Sequence, residues 1–169
     1  MRISIFEPIT DDTANRVVEE ILNQKYNRKD EYICVYINSP GGDVDAGFSI
    51  YETLRLSGKY IVTYAVNHIH SCAIIIYLAG QQRFANNYSN FLIHDPYHEV
   101  DDRMSVKKYK QNAIELEKCI DDYFQLICDR SKLTIPKIKK YVKNAPEGDW
   151  YFKADVAMKY DMVHQIGFP

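Results

Sequence analysis

No run of apolar residues reaches the roughly 18 that a membrane-spanning helix requires, and the opening MRISIFEPITDD has no apolar core long enough for a secretory signal. Cysteine is sparse. The four thiols, Cys34, Cys72, Cys119 and Cys128, form no Cys-x-x-Cys pair and no metal-ligand spacing. Cys34 and Cys72 lie inside apolar runs, where a cysteine serves as a small buried hydrophobe. These absences together point to a reducing cytoplasm, no disulfides and no metal centre. A basic surplus is also missing. The formal net charge is -2, which argues against a dedicated nucleic-acid binder. The one basic cluster, Lys137, Lys139, Lys140 and Lys143, sits on a short helical pattern and is explained as a solvated face. Glycine and proline are few, seven and six, and no repeat or low-complexity stretch occurs. What remains is an ordinary globular composition over 169 residues, 46% hydrophobic and 26% charged, enough for one domain with a single core.

The apolar spacing then orders the chain. Residues 2–6 alternate like a short strand. Thr10–Asp11–Asp12 opens a helix carrying Ala14, Val17, Val18, Ile21 and Leu22 at three-and-four spacing. Tyr32 to Ile37 is near-continuously apolar, as in the middle of a parallel sheet, and stops at Asn38–Ser39–Pro40–Gly41–Gly42. A helix from about Asp43 to Leu56 buries Ala46, Phe48, Ile50, Tyr51 and Leu54. A strand over 61–66 meets a polar break at Asn67–His70, and Ser71 opens a buried helix from Cys72 to Leu78. A third strand is predicted at Asn90–Ile93. This β–α alternation predicts an α/β fold with helices around parallel strands. Tyr97 to Arg103 is polar and acidic. A long amphipathic helix follows from about Met104 to Arg130, with Val106, Tyr109, Ala113, Leu116, Ile120, Tyr123 and Ile127 on one stripe. Such a helix is roughly 40 Å long, against a radius of gyration of roughly 15 Å for a domain of this size. Its stripe either packs on its own domain or waits for a partner. Pro136–Val142 and Lys153–Tyr160 read as helices, Asn144–Asp149 as a loop, and Met162–Ile166 as a last strand.

Three stretches carry candidate chemistry. Ser71 stands at a strand-to-helix corner, where unpaired N–H groups and a helix dipole converge. That position suits a nucleophile and its oxyanion, although a serine there also serves as an N-cap. Ser39–Pro40–Gly41–Gly42 can turn backbone N–H groups into a cleft. It lacks the Lys-Ser/Thr of a phosphate loop and the third glycine of a dinucleotide fingerprint, and alone it is more often a tight turn than a site. His94 ends an apolar strand, where an imidazole can lean over the carboxyl edge of a sheet. A general base there needs a third group to fix its tautomer, and Asp149 is the candidate.

Taken together, these stretches resemble the proteolytic subunit of Clp protease nearly end to end. Tyr36–Ile37–Asn38–Ser39–Pro40–Gly41–Gly42 resembles the family's YINSPGG, and Ala46–Gly47–Phe48–Ser49–Ile50–Tyr51–Glu52–Thr53–Leu54 its AGMAIYDTM. His70–Ser71–Cys72–Ala73 falls where the family has its nucleophile in ASMG, and Asn90–Phe91–Leu92–Ile93–His94–Asp95–Pro96 resembles RVMIHQP. The tail Gly148–Asp149–Trp150–Tyr151–Phe152, with Ala154, Ala157, Tyr160 and Val163, looks like the segment that completes the triad. The resemblance implies a ClpP/crotonase-like spiral of β–α units. Its head would span about 1–96 and 145–169, and a protruding handle about 97–144. It also implies a serine endopeptidase acting on peptides or unfolded proteins, with Ser71 as nucleophile, His94 as general acid/base and Asp149 as orienting carboxylate. Gly42 and Cys72 would supply the oxyanion hole. The implied assembly is a homo-oligomer of heptameric rings, with neither metal nor cofactor. The family's axial loop and first helix, which help dock an AAA+ unfoldase, have no counterpart before Ile3–Phe6, so docking of such a partner is left open. His70 replaces a small residue beside the nucleophile, Ala73 replaces a glycine, and Tyr97–Asp102 replaces a glycine-rich strand. Two other functions are compatible with these features: a non-catalytic ring or scaffold subunit, and an acyl-CoA hydratase or isomerase on the related spiral fold.

Overall fold

A computed structural model describes residues 1–24, 31–95 and 105–168. A parallel sheet forms its centre: β1 (Arg2–Ile5), β2 (Tyr32–Ser39), β3 (Tyr60–His70) and β4 (Gln82–Ala85) lie side by side, and β7 (Gln165–Ile166) closes the far edge. The helices α1 (Asp11–Gln24), α2 (Val44–Leu56) and α3 (Ala73–Leu78) follow β1, β2 and β3 in turn. The sheet interior is the β-branched run Ile33, Val35, Ile37 with Ile61 and Ala65, all buried. These residues are stiff at χ1 and fit a pleated surface covered by helices. Ala46, Ile50 and Leu54 of α2 pack onto them, while Phe48 and Tyr51, expected inside, are half-buried. Cys34, also expected inside, is half-buried because odd and even positions of β2 face opposite sides.

One departure from expectation positions the site. The polar residues Asn67–His70 are strand, not a break: β3 runs on through them to His70. It pairs with β4 over Val62–Ala65 and then with β5 (Asn90–Ile93) over His68–His70. Polar side chains are compatible with this because Asn67 and His68 face solvent while Ile69 stays buried. β6 (Trp150–Lys153), a strand not foreseen, pairs antiparallel with β5, Ile93 opposite Trp150. β4 was likewise not foreseen; at four residues with a central arginine it carries almost no periodic signal. The last strand is two residues long, where a five-residue one was expected.

Arg83 of β4 is 4% exposed. Its guanidinium donates to the carbonyls of Met162, Gly80 and Asp161 at 2.7, 2.9 and 2.6 Å, which satisfies a buried charge through backbone dipoles. Burial lowers its pKa.

The long helix α4 (Val106–Asp129) has 24 residues, roughly 36 Å. Among the described residues its C-terminal half packs on the domain, where Tyr123, Phe124 and Ile127 are buried. Val106 and Tyr109 are 73% and 57% exposed, and Ile114 beside the stripe is 61% exposed, so the stripe splits between a packed half and a bare half. α5 (Ile135–Asn144), a 3₁₀ turn (Pro146–Gly148) and α6 (Ala154–Lys159) complete the chain. Among the described residues no helix is long and apolar enough to cross a membrane. The predicted acidic segment Tyr97–Arg103 lies outside the described residues.

Candidate active site

The handover of β3 from β4 to β5 creates a corner, and Ser71 occupies it. Its φ is 52°, a left-handed value that costs an L-residue about 1–2 kcal/mol. Three contacts hold it there. Ser71 N–H donates to Leu92 O at 2.9 Å, continuing the β3–β5 pairing by one residue. Tyr123 Oη, from α4, donates to Ser71 O at 3.2 Å. Gly41 presses from below, where an added Cβ would stand 2.7 Å from Ser71 Cβ and 2.6 Å from His70 O. The N-cap alternative falls away: α3 begins at Ala73, Cys72 takes the cap position, and no side chain caps it.

The corner aims Ser71 Oγ at the end of β5. His94 Nε2 lies 2.8 Å from it, a full hydrogen bond. On the far side of the ring, His94 Nδ1 is 4.0 Å from Asp149 Oδ1. The 3₁₀ turn and the antiparallel β6 deliver Asp149 to this point: its N–H donates to Pro146 O at 3.0 Å and the strand begins at the next residue. The three side chains are thus adjacent, with hydroxyl and imidazole bonded and the carboxylate about 1 Å beyond hydrogen-bond reach.

Gly41 and Gly42 adopt φ of 89° and 146°. At Gly42 a Cβ would meet Ile9 O at 2.2 Å, so no other residue fits. Ile9 N–H donates to Gly41 O and Asp43 N–H to Ile9 O, which pins the turn against the loop after β1. Among the described residues neither Gly42 N–H nor Cys72 N–H donates to a backbone carbonyl, and both lie beside the Cys72 thiol. The thiol of Cys72 does not compete with Ser71 as a nucleophile. It is fully buried, and burial together with the Asp43 charge pushes it up to about 12 despite the nearby Gly42 N–H.

His70, one residue before Ser71, turns away from Oγ. Its Nε2 lies 3.3 Å from His68 Nδ1 and 3.4 Å from Asn90 Nδ2, and its ring meets Tyr151 edge-on. Burial first, then His68, lower its pKa to about 4, with Asp149 pulling the other way. It is therefore a neutral neighbour rather than a second base. Tyr123 is not foreseen as part of the site, and Gly41 is foreseen only as part of the glycine turn, not as the support beneath Ser71. Tyr123 reads in sequence as one more residue of an apolar stripe, and only its hydroxyl hints at a polar partner.

A family model for Clp protease matches residues 1–169. The chain belongs to the Clp protease family. Among solved structures, this Clp protease family member is similar to a point mutant of ClpP1 from Listeria monocytogenes, with a TM-score of 0.86 and 22% sequence identity. The match covers 99% of this chain and 91% of that one; at this identity it shows the shared fold. Family membership makes the chain a peptidase by descent and lends no support to an acyl-CoA hydratase reading.

Proposed function

We propose that this protein is a serine endopeptidase acting inside an oligomeric ring. Ser71 is the nucleophile, His94 the general acid/base and Asp149 the carboxylate that orients it. The observation that carries this is the 2.8 Å contact between His94 Nε2 and Ser71 Oγ. Chemistry follows from the positions. Ser71 Oγ attacks the scissile carbonyl while its proton passes to His94 Nε2. The N–H groups of Gly42 and Cys72 receive the oxyanion. Collapse of the tetrahedral adduct breaks the C–N bond, and His94 returns the proton to the departing amine. Water then attacks the Ser71 ester, giving its proton to His94; the second adduct collapses with the C–Oγ bond breaking, His94 returns the proton to Ser71 Oγ, and the acid product leaves. Asp149 faces the Nδ1–H of His94 throughout, favouring the tautomer whose Nε2 lone pair points at Ser71 and stabilising the imidazolium. At 4.0 Å it does so through its charge; a shift of about 1 Å makes the hydrogen bond that substrate binding tightens.

The substrates are peptides or unfolded proteins. The head comprises about 1–96 and 145–169, and the handle about 97–144. The bare apolar half of α4 supports the handle as the surface that interlocks two heptameric rings. Entry of folded proteins would require a separate AAA+ unfoldase, since the chain carries no nucleotide motif. A fluorophosphonate probe tests the assignment. The wild type is labelled on Ser71 and the Ser71→Ala variant is not; labelling that persists in the variant refutes the nucleophile.

A further inference from the structure

The strand that ends at Ser71 carries a second pair of reactive nitrogens. His68 and His70 are two residues apart on β3, so the pleat places them on the same face. Their rings stand 4.7 Å apart at 63°, with His68 Nδ1 and His70 Nε2 separated by 3.3 Å. Two nitrogens each about 2.0–2.1 Å from a tetrahedral zinc ion are about 3.3–3.4 Å apart. The pair therefore already has the bite of a zinc chelate. A third group converges on it: the Asn90 amide, from the adjacent β5, lies 3.4 Å from His70 Nε2. Half a turn about its last torsion presents Oδ1 in place of Nδ2. His68 is exposed, which leaves the outer side open to water as the remaining ligand. Among the described residues no cluster of three or more His, Cys, Asp and Glu side chains forms a complete cage.

We propose that His68 and His70 form a two-nitrogen chelate for a divalent transition ion of the zinc, nickel or copper class, with Asn90 Oδ1 as a supporting oxygen ligand. Imidazole nitrogens suit these ions and not magnesium or calcium. In the metal-free protein one ring N–H can bridge the two nitrogens; on binding, that proton shifts to the other nitrogen of its ring and both lone pairs face the ion. The site sits immediately ahead of Ser71, and charge at His70 acts on both His94 and Asp149. A bound dication there disfavours the imidazolium that His94 must become during attack, so occupancy slows peptide cleavage.

Isothermal titration of the full-length protein with zinc chloride at pH 7.5 tests the site directly and does not depend on the peptidase assignment. One zinc per chain is expected in the wild type, with that isotherm lost in both His68→Gln and His70→Gln. Magnesium gives no heat of binding at the same concentrations. Circular dichroism establishes that each variant is folded. Zinc binding that survives both substitutions places the ion elsewhere and overturns the proposal. In a peptide-cleavage assay, zinc slows the wild type and EDTA restores it, while the His68→Gln variant is unaffected by either. Inhibition of equal strength in that variant likewise overturns it.

Discussion

Replacing Gly41 by alanine should cripple the nucleophile without touching any catalytic side chain. The added methyl would stand 2.7 Å from Ser71 Cβ and 2.6 Å from His70 O, whereas ordinary contacts begin near 3.4 Å. Relief therefore demands a displacement of about 0.7 Å, against atoms packed at interior density. If the corner moves by that amount away from His94, the 2.8 Å bond lengthens to about 3.5 Å, outside hydrogen-bond range. Misplacement on this scale costs on the order of 10²-fold in turnover. The φ of 89° adds about 1–2 kcal/mol of backbone strain to an alanine. Gly58 separates the two effects, because its φ is 72° and nothing lies within 4 Å of its added Cβ. Gly58→Ala thus bears strain alone, while Gly41→Ala bears strain and collision. The assay is the rate of fluorophosphonate labelling, paired with thermal melts followed by circular dichroism. Both variants should melt below the wild type, and only Gly41→Ala should label about 10²-fold more slowly. Wild-type labelling by a folded Gly41→Ala protein would refute the claim that this contact sets the position of Ser71.

Three further outcomes follow from the same structure. Asp149→Asn should lower kcat for a fluorogenic peptide by about 10²–10⁴-fold with little change in KM, since the carboxylate acts on the transition-state imidazolium; an unchanged kcat removes Asp149 from the triad. The folded pKa of His70, about 4, lies below the ordinary histidine value of 6.5, so the unfolded chain binds the extra proton first as pH falls. The stability this neutral histidine contributes is complete above pH 6.5 and is lost as pH falls from 6.5 toward 4. Chemical denaturation in EDTA across that window should show a shallower decline for His70→Gln than for the wild type, and parallel curves would dismiss the effect. Replacing exposed Ile114 by lysine should leave the far-ultraviolet spectrum intact and reduce the sedimenting mass, whereas an unchanged particle would remove α4's bare half from the assembly surface.

Much of this architecture was legible in the chain, and the exceptions share a cause. The runs of β2, α2 and α4 are long enough for their periods to repeat, and they appear within a residue or two of their expected limits. β4 and β6 have four residues each, too few for a period to declare itself, and their pairing depends on neighbours distant in sequence. Asn67–His70 misled because polarity signals exposure rather than absence of a strand; His68–His70 pair with β5 and Ile69 also with Ser39 of β2, partners that sequence cannot assign. At the site, the glycine turn and the strand ends bearing Ser71 and His94 were visible as separate features, and the resemblance to a family joined them to Asp149. The left-handed corner at Ser71 was not visible, since a serine with φ of 52° has no local sequence signature. It exists because Leu92 O, Tyr123 Oη and Gly41 meet there from three different parts of the chain.

The buried guanidinium of Arg83 sets a timetable for biosynthesis. Two of the carbonyls that receive it, and the strand that covers the outer edge of β4, belong to residues 161–166. A nascent chain lacking this segment would hold a desolvated cation without those acceptors and an open, pairing-competent sheet edge. Closure of the sheet is thus deferred until residues 161–166 have been translated and have cleared the ribosome. Because β6 and Asp149 also follow most of the sheet in the chain, a product truncated before them lacks both the strand that pairs with β5 and the carboxylate proposed to orient His94.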